Sequence, residues 1–379
     1  MSILFHGARK LDADGQIDDF WMLFEANTIT MTGSGRLPAV ADSVDRIDVG
    51  GQWLTPGFID LHAHGGGNHS YDGNATEIQK ALATHRAHGT TRSVLSLVTQ
   101  PLPQLCTSLA VIADLCDDDP TILGSHLEGP FLAESRKGAH NAAFLRAPSA
   151  ADVEELIGAG RNTLRQVTIA PELDGALEAI DVLVAASVVV AIGHTSADFE
   201  LAKGAFDRGA RILTHAFNAM NGIHHRAPGP VVAAFEDDRV TIELILDGVH
   251  VHPDVARMAS ASAPGRIALI TDAMAAAGSA DGDYTLGSLS VTVTDGVAVL
   301  SGTDSIAGST LTQDAALRMA INHAGFLPRE AVAALTSTPA RALGLEHRLG
   351  YLRPGYSADA VTLDYDFQVT GVWAEGAAI

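Results

Sequence analysis

The chain has few cysteines, few aromatic residues and no long apolar run. Of its 379 residues, 2 are cysteines and 5% are aromatic. The two cysteines, Cys106 and Cys116, do not suggest the disulfide framework of a small secreted domain. No apolar run approaches the roughly 20 residues of a membrane-spanning helix, and the first residues lack the pattern of a signal peptide. We therefore expect a cytoplasmic protein without a membrane partner.

Basic residues are scarce as well. The chain has 24 lysines and arginines against 45 acidic residues, which gives a formal net charge of −21. With no run of basic residues, nucleic acid and anionic membrane surfaces are excluded as partners, although a local basic site for a small anion stays open. The 47% of hydrophobic residues and 18% of charged residues indicate a globular protein with a large core.

Most of the chain alternates between short β-rich segments and helical patterns. The expected strands are 54–61, 90–97, 122–128, 166–170, 188–192, 211–214, 241–246 and 267–271. The helical patterns between them include 75–88, 104–115, 150–158, 175–186 and 197–208. Eight strands alternating with helices over about 250 residues predict an α/β fold, a (β/α)8 TIM-like barrel.

The two ends of the chain have a different pattern, with short strands separated by turns. Asp12-Ala-Asp-Gly15 and Thr32-Gly-Ser-Gly35 are turn signals near the N-terminus. We expect residues 1–52 and 346–379 to form one small β-sandwich domain. Residues 53–345 would then form the catalytic barrel, with a β-hairpin inserted near 281–300.

Two histidines end the first expected barrel strand, in Pro56-Gly-Phe-Ile-Asp-Leu-His-Ala-His64. Side chains at i and i+2 of a strand point to the same face, so His62 and His64 would project together. Imidazole is the commonest protein ligand for transition metals. Active sites of (β/α)8 enzymes lie at the carboxyl ends of the strands. The pair therefore predicts a metal hydrolase, with a chance pair in a polar loop as the alternative.

Four other potential ligands end or follow expected strands: Glu128, His194, His215 and Asp272. A carboxylate with two or three imidazoles suits Zn²⁺ or Fe²⁺ and leaves a position open for water. The metal would acidify the water and polarise a carbonyl. Asp272 could then carry the proton from water to the leaving group. Any one histidine is more often structural, but the whole set would need independent accidents at several strand ends.

These residues resemble the amidohydrolase superfamily and, within it, the N-acetylglucosamine-6-phosphate deacetylases. The resemblance covers the chain from about residue 50 onwards. It rests on the segments His126-Leu-Glu-Gly-Pro-Phe131, Lys137-Gly-Ala-His-Asn141, Gly193-His-Thr195, His215-Ala-Phe-Asn-Ala-Met220, Asp247-Gly-Val-His250, Thr271-Asp-Ala273 and Ile306-Ala-Gly-Ser-Thr-Leu311. It implies metal-dependent hydrolysis of the acetamide of N-acetyl-D-glucosamine 6-phosphate by a homodimer, in amino-sugar catabolism or cell-wall sugar recycling.

The resemblance also implies roles for individual residues. Glu128, His194 and His215 would hold the main metal. Asp272 would act as general base and then acid, and His140 would contact the acetamide carbonyl. The expected substrate-binding residues are Ala139, His140, Asn218, Ala219, Arg226, His250, Ile306, Ala307 and Gly308. Some members of the family lack the first histidine pair and bind one metal. Its presence here suggests a second metal on His62 and His64, with Glu128 bridging and Asp272 available as a further ligand.

Some residues keep two interpretations. Arg226 offers a planar fork suited to phosphate, or it is an ordinary surface arginine. Its neighbours His224 and His225 either face the phosphate or are solvated. The remaining histidines without a strand-end position are expected to be surface or loop residues: His6, His69, His85, His88, His323 and His347.

Two rival functions fit parts of the sequence pattern. One is another amidohydrolase, acting on a cyclic amide or on a different N-acyl amino sugar. Cyclic-amide hydrolases of this kind bridge two metals with a carboxylated lysine, but none of Lys10, Lys80, Lys137 and Lys203 ends an expected barrel strand. The other is a non-catalytic sugar-phosphate-binding protein, which is disfavoured because the ligands and the proton shuttle are all present.

Overall fold

A computed structural model describes residues 2–379, and its centre is a barrel of eight parallel strands in chain order. The strands are Phe58–Ala63, Thr90–Val98, Ile122–Glu128, Leu164–Ile169, Val189–Ile192, Ile212–Leu213, Thr241–Ile245 and Ile267–Ile270. They consist almost entirely of buried residues, as expected for parallel strands covered on both faces. The predicted fold class, a (β/α)8 barrel with an additional β unit, is confirmed.

Helices separate most of the strands and pack around the barrel. They are Ala75–Ala87, Leu102–Asp118, Ala150–Ala159, Ala176–Ala185, Phe199–Asp207, Gly229–Glu236, Pro253–Ser262, Gln313–Asn322, Pro328–Leu335 and Ser337–Ala342, with 3-10 turns at Glu134–Arg136 and Ala142–Phe144. Local capping sets several starts: Asn74 and Glu77 form a capping box, and Asp198 accepts from the Leu201 amide. None of the helices in residues 2–379 is both long and apolar enough to cross a membrane.

Side chains and single backbone bonds join the first and last barrel strands. The Gln313 amide donates to the carbonyls of Ile59 and Leu269, each at 3.3 Å. Asp60 Oδ2 accepts from the Thr271 hydroxyl at 2.6 Å. The backbone amide of Asp272 donates to the carbonyl of His62 at 2.8 Å. These bonds place the ends of the two strands, and therefore His62 and Asp272, side by side.

A second, mostly antiparallel sheet takes strands from both ends of the chain. Its strands are Ser2–Asp12, Gly15–Glu25, Thr28–Ser34, Asp45–Asp48, Trp53–Pro56, Ala360–Leu363, Val369–Ala374 and Ala377–Ala378. Buried Arg92 of the barrel pairs with Asp359 at 2.6 Å and also contacts Glu375, which anchors this sheet. The domain bounds 1–52, 346–379 and 53–345 stay a prediction, and residue 1 lies outside the described residues.

Two expected elements are wrong in detail. The predicted single strand 54–61 is in fact two strands, Trp53–Pro56 in the second, mostly antiparallel sheet and Phe58–Ala63 in the barrel. Gly57 separates them at a close approach, since a Cβ there would lie 2.1 Å from Thr91 Oγ1. The insertion is a three-stranded sheet, Gly282–Leu286, Leu289–Thr294 and Val297–Leu300, instead of a two-stranded hairpin. A further short pair joins Gly65–Gly66 to His69–Ser70.

Candidate metal-dependent active site

The potential ligands lie together at the carboxyl ends of the barrel strands. Glu128 is the last residue of the third strand, and three other residues each lie two positions after a strand. These three, His194, His215 and Asp272, have positive φ angles of 46°, 26° and 48°. Such angles cost roughly 1–3 kcal/mol each for non-glycine residues and concentrate at functional sites. The backbone strain therefore supports a functional centre here.

Glu128 joins two imidazoles into one group of potential ligands. Its Oε1 lies 3.1 Å from His194 Nε2 and 3.0 Å from His215 Nε2. The two Nε2 atoms are themselves 3.0 Å apart. All three side chains are buried. This group, predicted as the main metal site, is thus brought together in the structure.

A second group surrounds the first histidine pair and shares Glu128. His64 Nε2 lies 3.0 Å from Glu128 Oε2 and 3.2 Å from Asp272 Oδ1. His62 Nε2 lies 3.5 Å from Asp272 Oδ1 and 3.2 Å from His64 Nε2. Four ligand atoms of these residues lie within 4.8 Å of one another. Glu128 belongs to both groups, so its position is that of a bridge.

The donor set fits divalent cations. Three imidazoles are held through Nδ1, by the Arg136 carbonyl at 2.8 Å for His194, the Ser96 carbonyl at 3.2 Å for His64, and Glu243 at 3.4 Å for His62. Such partners leave each Nε2 lone pair facing the centre, as metal-binding histidines require. Facing nitrogens only about 3 Å apart repel one another unless a proton or a cation lies between them.

The charges of the site are strongly coupled. Burial works against the charged forms of His62 and His64, but Glu128 and Asp272 outweigh it and raise both pKa values, that of His64 to about 9. Burial likewise opposes ionisation of the two carboxylates, yet the imidazoles hold the pKa of each below its usual range. The site thus attracts positive charge, and a divalent cation would compete with protons for the same nitrogens.

His140 presents a neutral N–H to the site. Burial lowers the pKa of His140 to about 4, so the ring is uncharged near neutrality. Its Nδ1 accepts from the Thr99 amide at 3.3 Å and lies 2.9 Å from the Thr99 hydroxyl. The proton is therefore on Nε2, which lies 3.4 Å from Glu128 Oε2. This arrangement suits donation to a carbonyl oxygen beside the ligand groups.

Glu243 and His126 lie next to the potential ligands, and neither was predicted from the sequence as a site residue. Glu243 is fully buried in the seventh barrel strand and receives hydrogen bonds from Gln166 and from the His215 amide. His126 lies between the hydroxyls of Ser96 and Thr168, each at 2.9 Å. A charged residue inside the apolar run Thr241-Ile-Glu-Leu-Ile245 is a signal that could have identified Glu243.

A cavity of about 390 Å³ opens onto these groups. Its walls include seven of the predicted substrate-binding residues, Ala139, His140, Asn218, Ala219, His250, Ile306 and Gly308. Ala307 is fully buried in the apolar cluster of the inserted sheet. The inserted sheet also contributes Leu286 to the wall. The cavity thus combines an apolar wall with polar groups that converge on the ligands, as small-molecule sites do.

Arg226 does not line the cavity of its own chain. It is exposed beside His224 and His225, with Nη1 2.7 Å from His225 Nε2. Arg136, which sequence reasoning did not single out, lines the cavity instead. Its place directly before the segment Lys137-Gly-Ala-His-Asn141 is a signal that could have identified it.

The other histidines also differ in their surroundings. His250 is largely buried, and although burial acts against its charged form, the Asp247 carboxylate at 2.7 Å raises its pKa. His85 was expected at the surface, but this prediction is wrong. It is buried in the helix Ala75–Ala87, and its Nε2 lies 2.8 Å from the carbonyl of Gly65, which follows the end of the first barrel strand by two residues.

Comparisons with known proteins agree with this geometry. The sequence pattern of the amidohydrolase family matches residues 53–379. The chain is similar to an N-acetylgalactosamine-6-phosphate deacetylase of Escherichia coli O157:H7, with 38% identity over 99% of both chains. It is 35% identical to an N-acetylglucosamine-6-phosphate deacetylase of Vibrio furnissii over 92% of this chain and 89% of the relative. The structure resembles that of N-acetyl-D-glucosamine-6-phosphate deacetylase from Mycobacterium smegmatis in complex with N-acetyl-D-glucosamine-6-phosphate, with a TM-score of 0.94 and 41% identity over 100% and 98% of the two chains.

Proposed function

The chain belongs to the amidohydrolase family, and on that premise we propose that it hydrolyses the acetamide of N-acetyl-D-glucosamine 6-phosphate to D-glucosamine 6-phosphate and acetate. The observation that carries the proposal is the pair of ligand groups that share Glu128 and line a cavity of about 390 Å³. The similarity to deacetylases of phosphorylated N-acetylhexosamines along the whole chain supplies the substrate class. A charged phosphosugar does not cross membranes freely, which supports a cytoplasmic location.

The mechanism uses the chain's own groups around the scissile amide. A bound divalent cation supplies Lewis acidity, which polarises a carbonyl and lowers the pKa of water. Asp272, whose pKa lies below its usual value, is ionised and takes the proton of the attacking water. His140 donates its Nε2 proton in a hydrogen bond to the carbonyl oxygen as negative charge develops there. Asp272 then gives the proton to the departing amine.

Release of acetate tests the function directly. Metal-replete protein should release one acetate for each D-glucosamine 6-phosphate formed from N-acetyl-D-glucosamine 6-phosphate. Treatment with a chelator should abolish the release, and added Zn²⁺ or Fe²⁺ should restore it. Absence of turnover in metal-replete protein would overturn the proposal and would favour a binding protein.

The galacto epimer is a second candidate substrate. The relative from Escherichia coli O157:H7, an N-acetylgalactosamine-6-phosphate deacetylase, matches 99% of this chain. The two substrates differ only at the C4 hydroxyl, so the same ligands and proton shuttle would serve both. The ratio of kcat/KM for the gluco and galacto substrates decides between them, with a ratio above one expected for the assignment made here.

Other amidohydrolase chemistry has less support. A carboxylated lysine would have to end a barrel strand, but none of the four lysines does. Lys10 lies in the second, mostly antiparallel sheet beside Asp12, Lys80 and Lys203 lie in helices, and Lys137 lies in a loop. Glu128, which belongs to both groups of potential ligands, would bridge the metals instead. Turnover of a cyclic amide is therefore not expected.

We propose that the site holds two metal ions. Glu128, His194 and His215 would bind one of them, and His62, His64, Glu128 and Asp272 would bind the other. Metal analysis of protein prepared without chelators should find about two ions per chain, and the double variant His62→Asn/His64→Asn should retain about one. The exposed His347 provides a matched control, since His347→Asn should leave the metal content unchanged. One ion per chain in the unmodified protein would contradict a second site.

We also propose a homodimer in which Arg226 of one protomer reaches the phosphate bound by its partner. Arg226 is exposed and lies outside its own chain's cavity, which supports action in trans. Arg226→Met and Asp272→Asn should each be poorly active alone on the phosphosugar. Mixed and re-equilibrated in equal amounts, they should recover about a quarter of normal activity, because half of the dimers contain one complete site. No recovery, or a monomer in light scattering, would contradict action in trans.

A further inference from the structure

We propose that Arg136 binds the 6-phosphate of the substrate from within the same chain, a role that rests on the proposed function. Arg136 ends the 3-10 turn Glu134–Arg136 and lines the active-site cavity together with Asn218 and Ala219. Of the residues that line this cavity, it is the only arginine, and no lysine is among them. Arg136 is therefore the only lining residue that offers an anionic ligand in the cavity a permanent positive charge.

The guanidinium of Arg136 is oriented but not satisfied. Its Nη2 donates to the side-chain oxygen of Asn221. Asn221 is fixed in turn by donating to the carbonyls of Ser196 at 2.8 Å and Ala197 at 3.2 Å. The Arg136 Nε is buried and has no hydrogen-bond partner among the described residues. Buried donors without partners are rare in proteins, so this N–H shows that the hydrogen bonds of the guanidinium are incomplete in the ligand-free protein.

The charge balance of the cavity explains why such a donor is needed. Asp304 lines the cavity and is not among the potential metal ligands, in a chain with a net charge of −21. Its carboxylate would repel a phosphate dianion unless a cation faced it. Arg136 forms no ion pair with a carboxylate in residues 2–379. Its charge is therefore free for the ligand, and its planar fork suits phosphate oxygens.

Arg136 also connects phosphate binding to the metal ligands through its backbone. Its carbonyl oxygen accepts the Nδ1 proton of His194 at 2.8 Å. The turn that carries Arg136 is tied to the same strand end, because the Ala133 amide donates to the His194 carbonyl at 3.0 Å. A phosphate held by the side chain would thus be placed at a fixed distance from the ligand group that Glu128 shares.

Equilibrium binding of inorganic phosphate to metal-replete protein, measured by calorimetry, provides the first test. Arg136→Met removes the charge and the donors but keeps the carbonyl that holds His194. It should weaken phosphate binding about 10- to 100-fold, the range for a lost charge-assisted hydrogen bond. Arg136→Lys, which keeps the charge without the fork, should fall between the two. Unchanged phosphate affinity in Arg136→Met would overturn the proposal, even if no acetate release were ever observed.

A kinetic comparison separates substrate binding from a structural role. The ratio of kcat/KM for N-acetyl-D-glucosamine 6-phosphate over the free sugar should fall about 10- to 100-fold in Arg136→Met. An equal loss on both sugars, or a loss of metal, would assign Arg136 to support of His194 and overturn the proposal. Arg146→Met is the matched control, because Arg146 is half-exposed, pairs with Asp152 at 2.9 Å and lies outside the cavity. The control should keep the normal ratio.

Discussion

Replacement of Asp272 by asparagine should lower kcat for acetate release by about 10²- to 10⁴-fold, the range for loss of a general acid–base group. The asparagine amide keeps the size of the side chain but can neither accept the water proton nor return it to the amine. Asp272 Oδ1 lies 3.2 Å from His64 Nε2 and 3.5 Å from His62 Nε2, so the substitution also changes a proposed second-metal ligand. The other proposed metal site, formed by Glu128, His194 and His215, keeps all three of its ligands.

Asp272→Asn should remove proton transfer while leaving metal and substrate binding largely intact, so the three properties are measured separately. Metal content of Asp272→Asn should stay at one ion per chain or more, and calorimetry should find substrate affinity close to normal. Asp254→Asn removes a carboxylate from an exposed helix start and should leave kcat within about threefold of normal. More than about a tenth of normal kcat in metal-loaded Asp272→Asn would contradict the assigned proton shuttle.

The fold and the potential metal ligands could be predicted because both follow from the alternation of strands and helices, whereas the substrate-binding residues were implied only by the family resemblance. In a parallel barrel every strand ends on the same face, so residues distant in sequence, such as His62, Glu128 and Asp272, must converge there. Periodicity in the sequence carries this information. The periodicity is less informative where two buried strands follow each other directly. Only Gly57 separates Trp53–Pro56 from Phe58–Ala63, so residues 54–61 resemble a single strand in the sequence.

The residues that sequence reasoning missed act through packing instead of through pattern. Glu243 resembles a stray charge in an apolar strand until its contacts with His62 and the His215 amide are known. His85 shares the buried helix face of Ile78 and Leu82, but a polar side chain was expected to be solvated; its Nε2 instead contacts the Gly65 carbonyl. The family resemblance pointed to Arg226, and Arg136 has the same chemistry. The structure shows that Arg136 lines the cavity, whereas Arg226 is exposed and does not line it.

Glu128→Gln should have an effect as large as that of Asp272→Asn, but for a different reason. Glu128 belongs to both ligand groups, and its two oxygens lie 3.0–3.4 Å from five imidazoles, those of His62, His64, His140, His194 and His215. A neutral amide of the same shape cannot balance the charge of two divalent cations. We expect metal content below one ion per chain and a loss of kcat of about 10³-fold or more, since the Lewis acid is lost with it.

The metal-free protein gives a second and independent readout of Glu128→Gln. The His64 pKa of about 9 depends on Glu128 and Asp272, so in the variant it should fall towards its ordinary value, which NMR titration can follow. A raised imidazole pKa stabilises the fold fully below the unfolded value of about 6.5, and this contribution disappears as the pH rises through about 9. The lowered Glu128 pKa contributes above about 4.5 and is lost in acid.

The stability difference between the metal-free variant and the metal-free parent should therefore depend on pH. Loss of one partner from a buried ion pair costs about 3 kcal/mol, and here the deficit should be largest between about pH 5 and 6.5. It should narrow as the pH rises towards 9, because the imidazoles then lose their protons in the parent as well. Urea unfolding across this range measures it, with Glu200→Gln at an exposed helix position as the control. If the loss of unfolding free energy in the variant instead grew with pH, Glu128 would not be keeping His62 and His64 protonated in the metal-free protein. The electrostatic coupling between Glu128 and these histidines, on which the two-metal site depends, would then be wrong.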